Sequence, residues 1–228
     1  MRVIFDKTEL SDAIDRVQRA AQAKITSNTN NGYFIAAENG KVELQANDYT
    51  IGIKTSCPAM IEEEGIIVIA ASQLQSTIRM MPAGDVVMEK KKEENMVSFT
   101  CGSYFARFPT RDINEFPEVK EMEHTSHATV SCHDFKEMTS QVSFATASDK
   151  QKPLFTGVLF EVSQYRFIMA ATNTHRLAAK EITLPEEASA EGRFVVSGSI
   201  LLDVVRLLPD EEGSTFEISG SQNHVSFT

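Results

Sequence analysis

The chain is written twice, and this limits its fold more than any local signal does. Residues 95–100 read Asn-Met-Val-Ser-Phe-Thr; residues 223–228 read Asn-His-Val-Ser-Phe-Thr, 128 positions later. Gly32-Tyr33-Phe34-Ile35 opens an apolar run as Gly157-Val158-Leu159-Phe160 does, at an offset of 125. Arg79-Met80-Met81-Pro82 ends a helical pattern as Arg206-Leu207-Leu208-Pro209 does, at an offset of 127. Several matches in one order point to a duplicated domain of roughly 125 residues. A chain of 228 residues is also long for one average domain, so two are expected, 1–124 and 125–228.

Each copy reads as strand, helix, three strands, then the same again. In the first, 2–5 is a strand and a helix runs from about Thr8 to Ala23, with Thr8 as the N-cap. Leu10, Ala13, Ile14, Val17, Ala20 and Ala21 share one face; Asp12, Arg16 and Arg19 lie opposite. Strands follow near 32–37, 41–46 and 49–56, then a loop at Glu62-Glu63-Glu64-Gly65. Strand 66–70 leads into helix 72–81, stopped by Pro82, and strands near 85–90, 95–100 and 103–108 close the copy. The second copy repeats the order: strand 127–131, helix 133–146, strands 156–162, 165–171, 176–182 and 193–196, helix 199–208, strands 214–218 and 223–228. The fold class expected is α+β, with two helices per domain packed on antiparallel sheets.

After Thr100 the first copy continues into the alternating strand Cys101–Phe108, whereas the sequence ends at Thr228. The second copy is therefore expected to lack its last strand, and the chain to be a fragment of a longer one. The competing reading is that a partner or a second copy supplies the edge.

Composition narrows the function. Net charge is −10, and each half carries −5, so no basic arm or basic half exists to grip nucleic acid. Cys57, Cys101 and Cys132 are far apart with no CxxC pair, which argues against a disulfide scaffold and a cysteine zinc site. No apolar run approaches the roughly 20 residues of a membrane helix, and the N-terminus does not read as a signal peptide. A soluble, cytoplasmic protein without membrane contact is expected. The five histidines include no HExxH, and His124 and His127 sit among scattered acids without a ligand pattern. Asp149, His175 and Ser197 can be strung into a triad on paper, but no Gly-x-Ser-x-Gly turn accompanies them. No catalytic constellation, metal or cofactor is expected.

The second copy contains Gly157-Val158-Leu159-Phe160-Glu161 and then Ala170-Ala171-Thr172-Asn173-Thr174-His175-Arg176-Leu177-Ala178. This pair of segments resembles the middle domain of the bacterial sliding clamps, the DNA polymerase III beta subunits. Ile66 to Pro82, and Phe108-Pro109 followed by Phe116-Pro117, are similar to the family's first domain. Thr174 stands where the family usually has glycine, and Asn173 where it usually has aspartate.

The resemblance implies three similar domains per protomer and a ring of two full-length protomers, helices inside and sheets outside. It implies a processivity factor, not an enzyme: a ring that encircles duplex DNA without reading its sequence and tethers the replicative polymerase. DNA-facing groups would then be Arg79 and Arg206 at equivalent places in the two copies, with Arg16, Arg19 and Lys136 on polar helix faces. Lys24 matches a position where the family places a basic DNA-facing residue. A groove between the second and third domains would take short linear peptides from polymerase, clamp loader and repair proteins. Its second-domain wall would be Phe155, Thr172, Thr174, His175, Arg176 and Leu177. A two-domain protomer closing as a trimer is disfavoured by the unfinished second copy. The alternative class is a duplicated-domain ligand-binding protein or enzyme with its site at Thr172–Arg176.

Overall fold

A computed structural model describes residues 1–21, 32–119, 126–148, 152–221 and 224–228. The chain divides into two compact units, Met1–Lys120 and Glu121–Thr228.

In the first unit β1 (Arg2–Asp6) leads into α1 (Lys7–Val17), then β2 (Gly32–Glu38), β3 (Lys41–Asn47), β4 (Gly52–Cys57), β5 (Ala59–Glu63) and β6 (Gly65–Ala70). After α2 (Ala71–Met80) come β7 (Asp85–Lys90), β8 (Met96–Cys101) and β9 (Tyr104–Arg111). The strands form one antiparallel sheet in the order β4-β3-β2-β6-β9-β8-β7-β1-β5. β9 is the junction, pairing β8 along its first part and β6 through Thr110 and Arg111. Both helices bury an amphipathic stripe: Leu10, Ala13, Ile14 and Val17 on α1; Ala71, Leu74, Thr77 and Ile78 on α2.

The second unit holds β10 (Ser126–Ser131), α3 (Cys132–Val142), β11 (Gly157–Ser163), β12 (Arg166–Thr172) and β13 (Leu177–Thr183). Then follow β14 (Gly192–Ser197), α4 (Gly198–Leu207), β15 (Thr215–Gly220) and β16 (Val225–Phe227). Among the described residues it has two sheets, β10-β15-β16 and β13-β12-β11-β14. Its core is built on Phe135 of α3, which meets Phe160, Phe216 and Phe227 edge-on at centroid distances of 6.0, 5.0 and 6.0 Å. The duplication is visible in the element bounds: β2, β3 and β4 begin 125 residues before β11, β12 and β13, and α2 begins 127 before α4. The fold is α+β, two helices on antiparallel sheets in each unit, as the pattern predicts.

Three local expectations are corrected. Asp6, not Thr8, caps α1; its extended backbone lets Oδ1 accept from the N–H groups of Thr8 (2.7 Å) and Glu9 (3.2 Å). The α-helix stops at Val17 and tightens into a 3-10 turn, Gln18–Ala21, before Ala23 is reached. Of the acidic stretch expected as a loop, Glu62 and Glu63 belong to β5, an edge strand on β1, and Gly65 opens β6. Edge strands tolerate such charge, and Glu63 meets the Met1 amino group at 3.2 Å. Among the described residues no helix is long and apolar enough to cross a membrane.

Candidate functional site

Two kinds of surface carry residues singled out by sequence. The first is, in each unit taken by itself, the exposed side of its helix pair. Arg79 stands in the last turn of α2 and Arg206 in the last turn of α4, where a cation also suits the helix dipole. Arg79 Nη2 lies 3.8 Å from Asp15 Oδ1 on α1; Arg206 Nη1 lies 3.2 Å from Asp203 Oδ1 on its own helix. Both guanidiniums are more than half exposed, so these pairs hold them weakly. Beside Arg79, Gln75 Nε2 donates to Gln18 Oε1 at 2.8 Å, and Gln18 Nε2 donates to Asp15 Oδ1 at 3.1 Å. Burial pushes the nearby Tyr33 hydroxyl well above the usual phenol range; the Asp15 charge adds to this and Arg79 opposes it.

Arg16 and Arg19 are exposed on the same side of α1 and its 3-10 extension. Lys136 is differently placed. Its ammonium donates to the carbonyls of Leu208 (3.0 Å) and Pro209 (2.8 Å) and pairs with Asp210, so it ties α3 to the end of α4. Lys24 lies outside the described residues.

The second surface is the β12–β13 hairpin. Thr172 Oγ1 accepts from Thr174 N–H at 3.2 Å and donates to the Arg176 carbonyl at 2.8 Å. Asn173 Oδ1 accepts from the N–H groups of His175 (3.2 Å) and Arg176 (3.1 Å). Side chains thus stand in for the backbone partners that a tight turn lacks. They hold Thr174 at φ 77°, a left-handed conformation that favours the glycine found there in the resembled family. Leu177, at the foot of the turn, is 72% exposed, so it is not sheet core.

The 3-10 turn Ser143–Ala145 lies against β12 and β13, with the Arg176 guanidinium over the Phe144 ring, 5.5 Å from its centroid. Ala147 N–H donates to the Phe155 carbonyl at 2.7 Å, linking this turn to Pro153–Thr156, where Phe155 is half-buried and Leu154 is exposed. Phe144 and Leu154 escaped the sequence reading. Phe144 falls off the α3 stripe that ends at Val142, and Leu154 belongs to no periodic run.

The first unit builds the same turn. Asn47 Oδ1 accepts from Tyr49 N–H at 2.8 Å, and Asp48 Oδ1 from Thr50 (2.9 Å) and Ile51 (2.7 Å), with Tyr49 at φ 67°. Here the flank is covered: Asn47 Nδ2 donates to the Pro117 carbonyl at 2.7 Å, and Val119 N–H donates to Gln45 Oε1 at 2.9 Å.

Among the described residues the remaining polar groups make no reacting constellation. Ser197 Oγ faces Ser199 Oγ at 3.0 Å, and Asp149 lies outside the described residues. His127 Nδ1 meets both Glu217 Oε1 (2.6 Å) and Ser219 Oγ (2.8 Å), so one ring nitrogen serves both, unlike a triad. His124 lies outside the described residues. His133, Asp134 and Glu137 converge on α3, but Glu137 accepts from Gln141 at 2.7 Å and has Lys180 at 3.7 Å, a competing cation.

Residues 1–120 match the family model of the DNA polymerase III beta subunit, N-terminal domain, and residues 129–228 that of its central domain. The chain belongs to the DNA polymerase III beta subunit family. It is 26% identical over 222 residues to the beta sliding clamp of Streptomyces coelicolor, covering 97% of this chain and 58% of that protein. With that of Synechococcus elongatus it shares 28% over 215 residues, 91% of this chain and 56% of the relative. The chain thus spans less than two thirds of the length of these beta subunits. The crystal structure of the Bacillus subtilis sliding clamp shares the fold with a TM-score of 0.93 at 23% identity, covering all of this chain and 62% of that one. A beta subunit from Bartonella birtlesii, bound to griselimycin, gives 0.90 at 22%, again covering 100% and 62%.

Proposed function

We propose that the protein is a sliding clamp, a processivity factor that encircles duplex DNA and tethers the replicative polymerase. The observation that carries this is the pairing of two consecutive beta-subunit domains, each with an exposed arginine in the last turn of the corresponding helix. Topology, not affinity, holds such a ring on DNA, so few and weak phosphate contacts suit it; each further contact would add friction to sliding. A net charge of −10 is compatible with this when Arg79, Arg206, Arg16, Arg19 and Lys24 line the hole. Lys136, already bound to the α4 terminus, adds field more than contact.

The whole protein works as a cytoplasmic homodimeric ring without turnover of its own. Polymerase, clamp loader and repair proteins dock by short linear peptides at Phe155, Thr172, Thr174, His175, Arg176 and Leu177. An exposed aliphatic side chain beside fixed polar groups suits such a peptide. The test loads the protein, as its gene encodes it, onto nicked circular DNA with its clamp loader and then linearises the circle. Long retention on circles with rapid loss from linear ends is expected. Equal release from both, or binding that follows base sequence, would overturn the reading.

A further inference from the structure

The two helix pairs carry the same kinds of side chain at exchanged places. At an offset of 125 the buried faces of α1 and α3 coincide, Leu10 with Phe135 and Val17 with Val142, so Asp15 on α1 corresponds to Ser140 on α3. At an offset of 127 α2 falls on α4 and Arg79 on Arg206, so Ser76 on α2 corresponds to Asp203 on α4. The first unit thus has its acid on the first helix and a serine on the second; the second unit has the reverse. In both, the acid meets the arginine: Asp15 Oδ1 lies 3.8 Å from Arg79 Nη2, and Asp203 Oδ1 lies 3.2 Å from Arg206 Nη1. The serines turn back on their own helices, Ser76 Oγ to the carbonyls of Ser72 (2.9 Å) and Gln73 (3.0 Å), Ser140 Oγ to that of Glu137 (2.7 Å). Asp15 is also held in place. Gln18 Nε2 donates to its Oδ1 and to its carbonyl, both at 3.1 Å, and Gln75 Nε2 on α2 donates to Gln18 Oε1 at 2.8 Å. These amides are neutral, so the carboxylate keeps its charge for the arginine.

Resting on the clamp reading above, we propose that Asp15 and Asp203 are positioning residues of the DNA-facing arginines, which they hold at the helix ends and whose charge they offset. The ligand is the sugar-phosphate backbone of any duplex. A phosphate reaching Arg79 or Arg206 must displace a carboxylate that is already there and that repels it. Each arginine then neutralises less than one phosphate charge and releases fewer counterions, which weakens the contact without removing it. The acids touch the guanidinium, not the DNA, and act through it. Both pairs reach solvent, so each acid is worth about a two- to five-fold change in affinity, the range of an exposed ion pair.

The protein as its gene encodes it is titrated with a short labelled duplex at several salt concentrations, and loaded rings are followed as they diffuse along stretched DNA. Asp15→Asn keeps an oxygen for Gln18 and removes the charge. It should tighten duplex binding about two- to five-fold. It should also steepen the dependence of log affinity on log salt, by up to about 0.9, and slow diffusion. Asp203→Asn should do the same. With Arg79→Gln in place, Asp15→Asn should gain little, because the group through which it acts is gone. Unchanged affinity and salt dependence in both asparagine variants, or an undiminished gain without Arg79, would overturn the proposal. So would an equal gain from Asp12→Asn, which removes one charge from the same helix a turn earlier and would reduce the effect to net charge. Rings that leave circular and linear DNA equally fast would remove the clamp reading itself and this proposal with it.

Discussion

The two hairpins β3–β4 and β12–β13 are the same backbone device in different surroundings. In each, an Asn or Thr followed by an Asp or Asn folds the turn onto side-chain oxygens, and the residue after them sits in the left-handed region. The flanks differ. At the foot of the first turn stands Gly52, where a built Cβ would come within 2.8 Å of Val119, so the chain's own Pro117–Val119 segment covers it. At the foot of the second stands Leu177, with its side chain in solvent. Fully burying a leucine stabilises by about 1.5–3 kcal/mol, and among the described residues nothing supplies that burial at Leu177. The two copies thus differ in whether the described part of the chain covers the foot of the turn.

The units also differ in how their cores are joined. β9 stitches the two halves of the first unit into one sheet, whereas the described part of the second unit has two sheets meeting over Phe135. The largest effect is therefore expected from Phe135→Ala, a loss of about 3–5 kcal/mol. It should fall on the second unit alone. Amide exchange should rise on β11, β15 and β16 and stay unchanged on β2 and β8. Loss spread equally over both units would mean that they unfold as one cooperative body.

The hairpin contrast is sharpened by exchanging its key residues. Gly52→Leu should push Val119 away and break its bond to Gln45, whose side chain is buried. A cost of about 1–3 kcal/mol is expected for this overpacking, with lost exchange protection at the Val119 amide. Leu177→Gly, on an exposed site, should change stability by about 0.5 kcal/mol or less while abolishing peptide binding. A protected Val119 amide in Gly52→Leu would show that the covering segment does not depend on the missing side chain.

Much of this was legible in the sequence. The repeated strands and the Arg79/Arg206 helix ends stand out because amphipathic stripes and proline stops are local signals. The strands on either side of Thr172–Leu177 were legible as local patterns, but a site at their turn was suggested only by likeness to the clamp family. The cap at Asp6 was missed because Thr8 is an equally good capping type, and only backbone geometry decides between them. β5 hid behind its acids, since an edge strand needs no alternating apolar face. Phe144 and the covering of Gly52 depend on contacts between segments far apart in the chain, which no periodicity encodes.

The smallest expected effect concerns the polar links between paired helices. In the first unit Gln18 and Gln75, which do not titrate, bridge α1 and α2. In the second, Lys136 and Asp210 tie α3 to the residues after α4, and the lysine beside it holds the Asp210 carboxyl below its usual range. A lowered carboxylate pKa favours the folded state while the group is ionised, and this contribution fades as pH falls through the folded value. Acidification from neutral pH to below the usual aspartate range should therefore loosen the end of α4 slightly before the end of α2. Both groups at the Asp210 end reach solvent, so the difference will be small. Asp210→Asn should erase it, leaving the two helix ends with matching acid profiles in amide exchange. An α4 end that still loosens first in Asp210→Asn would place the acid sensitivity elsewhere in the second unit.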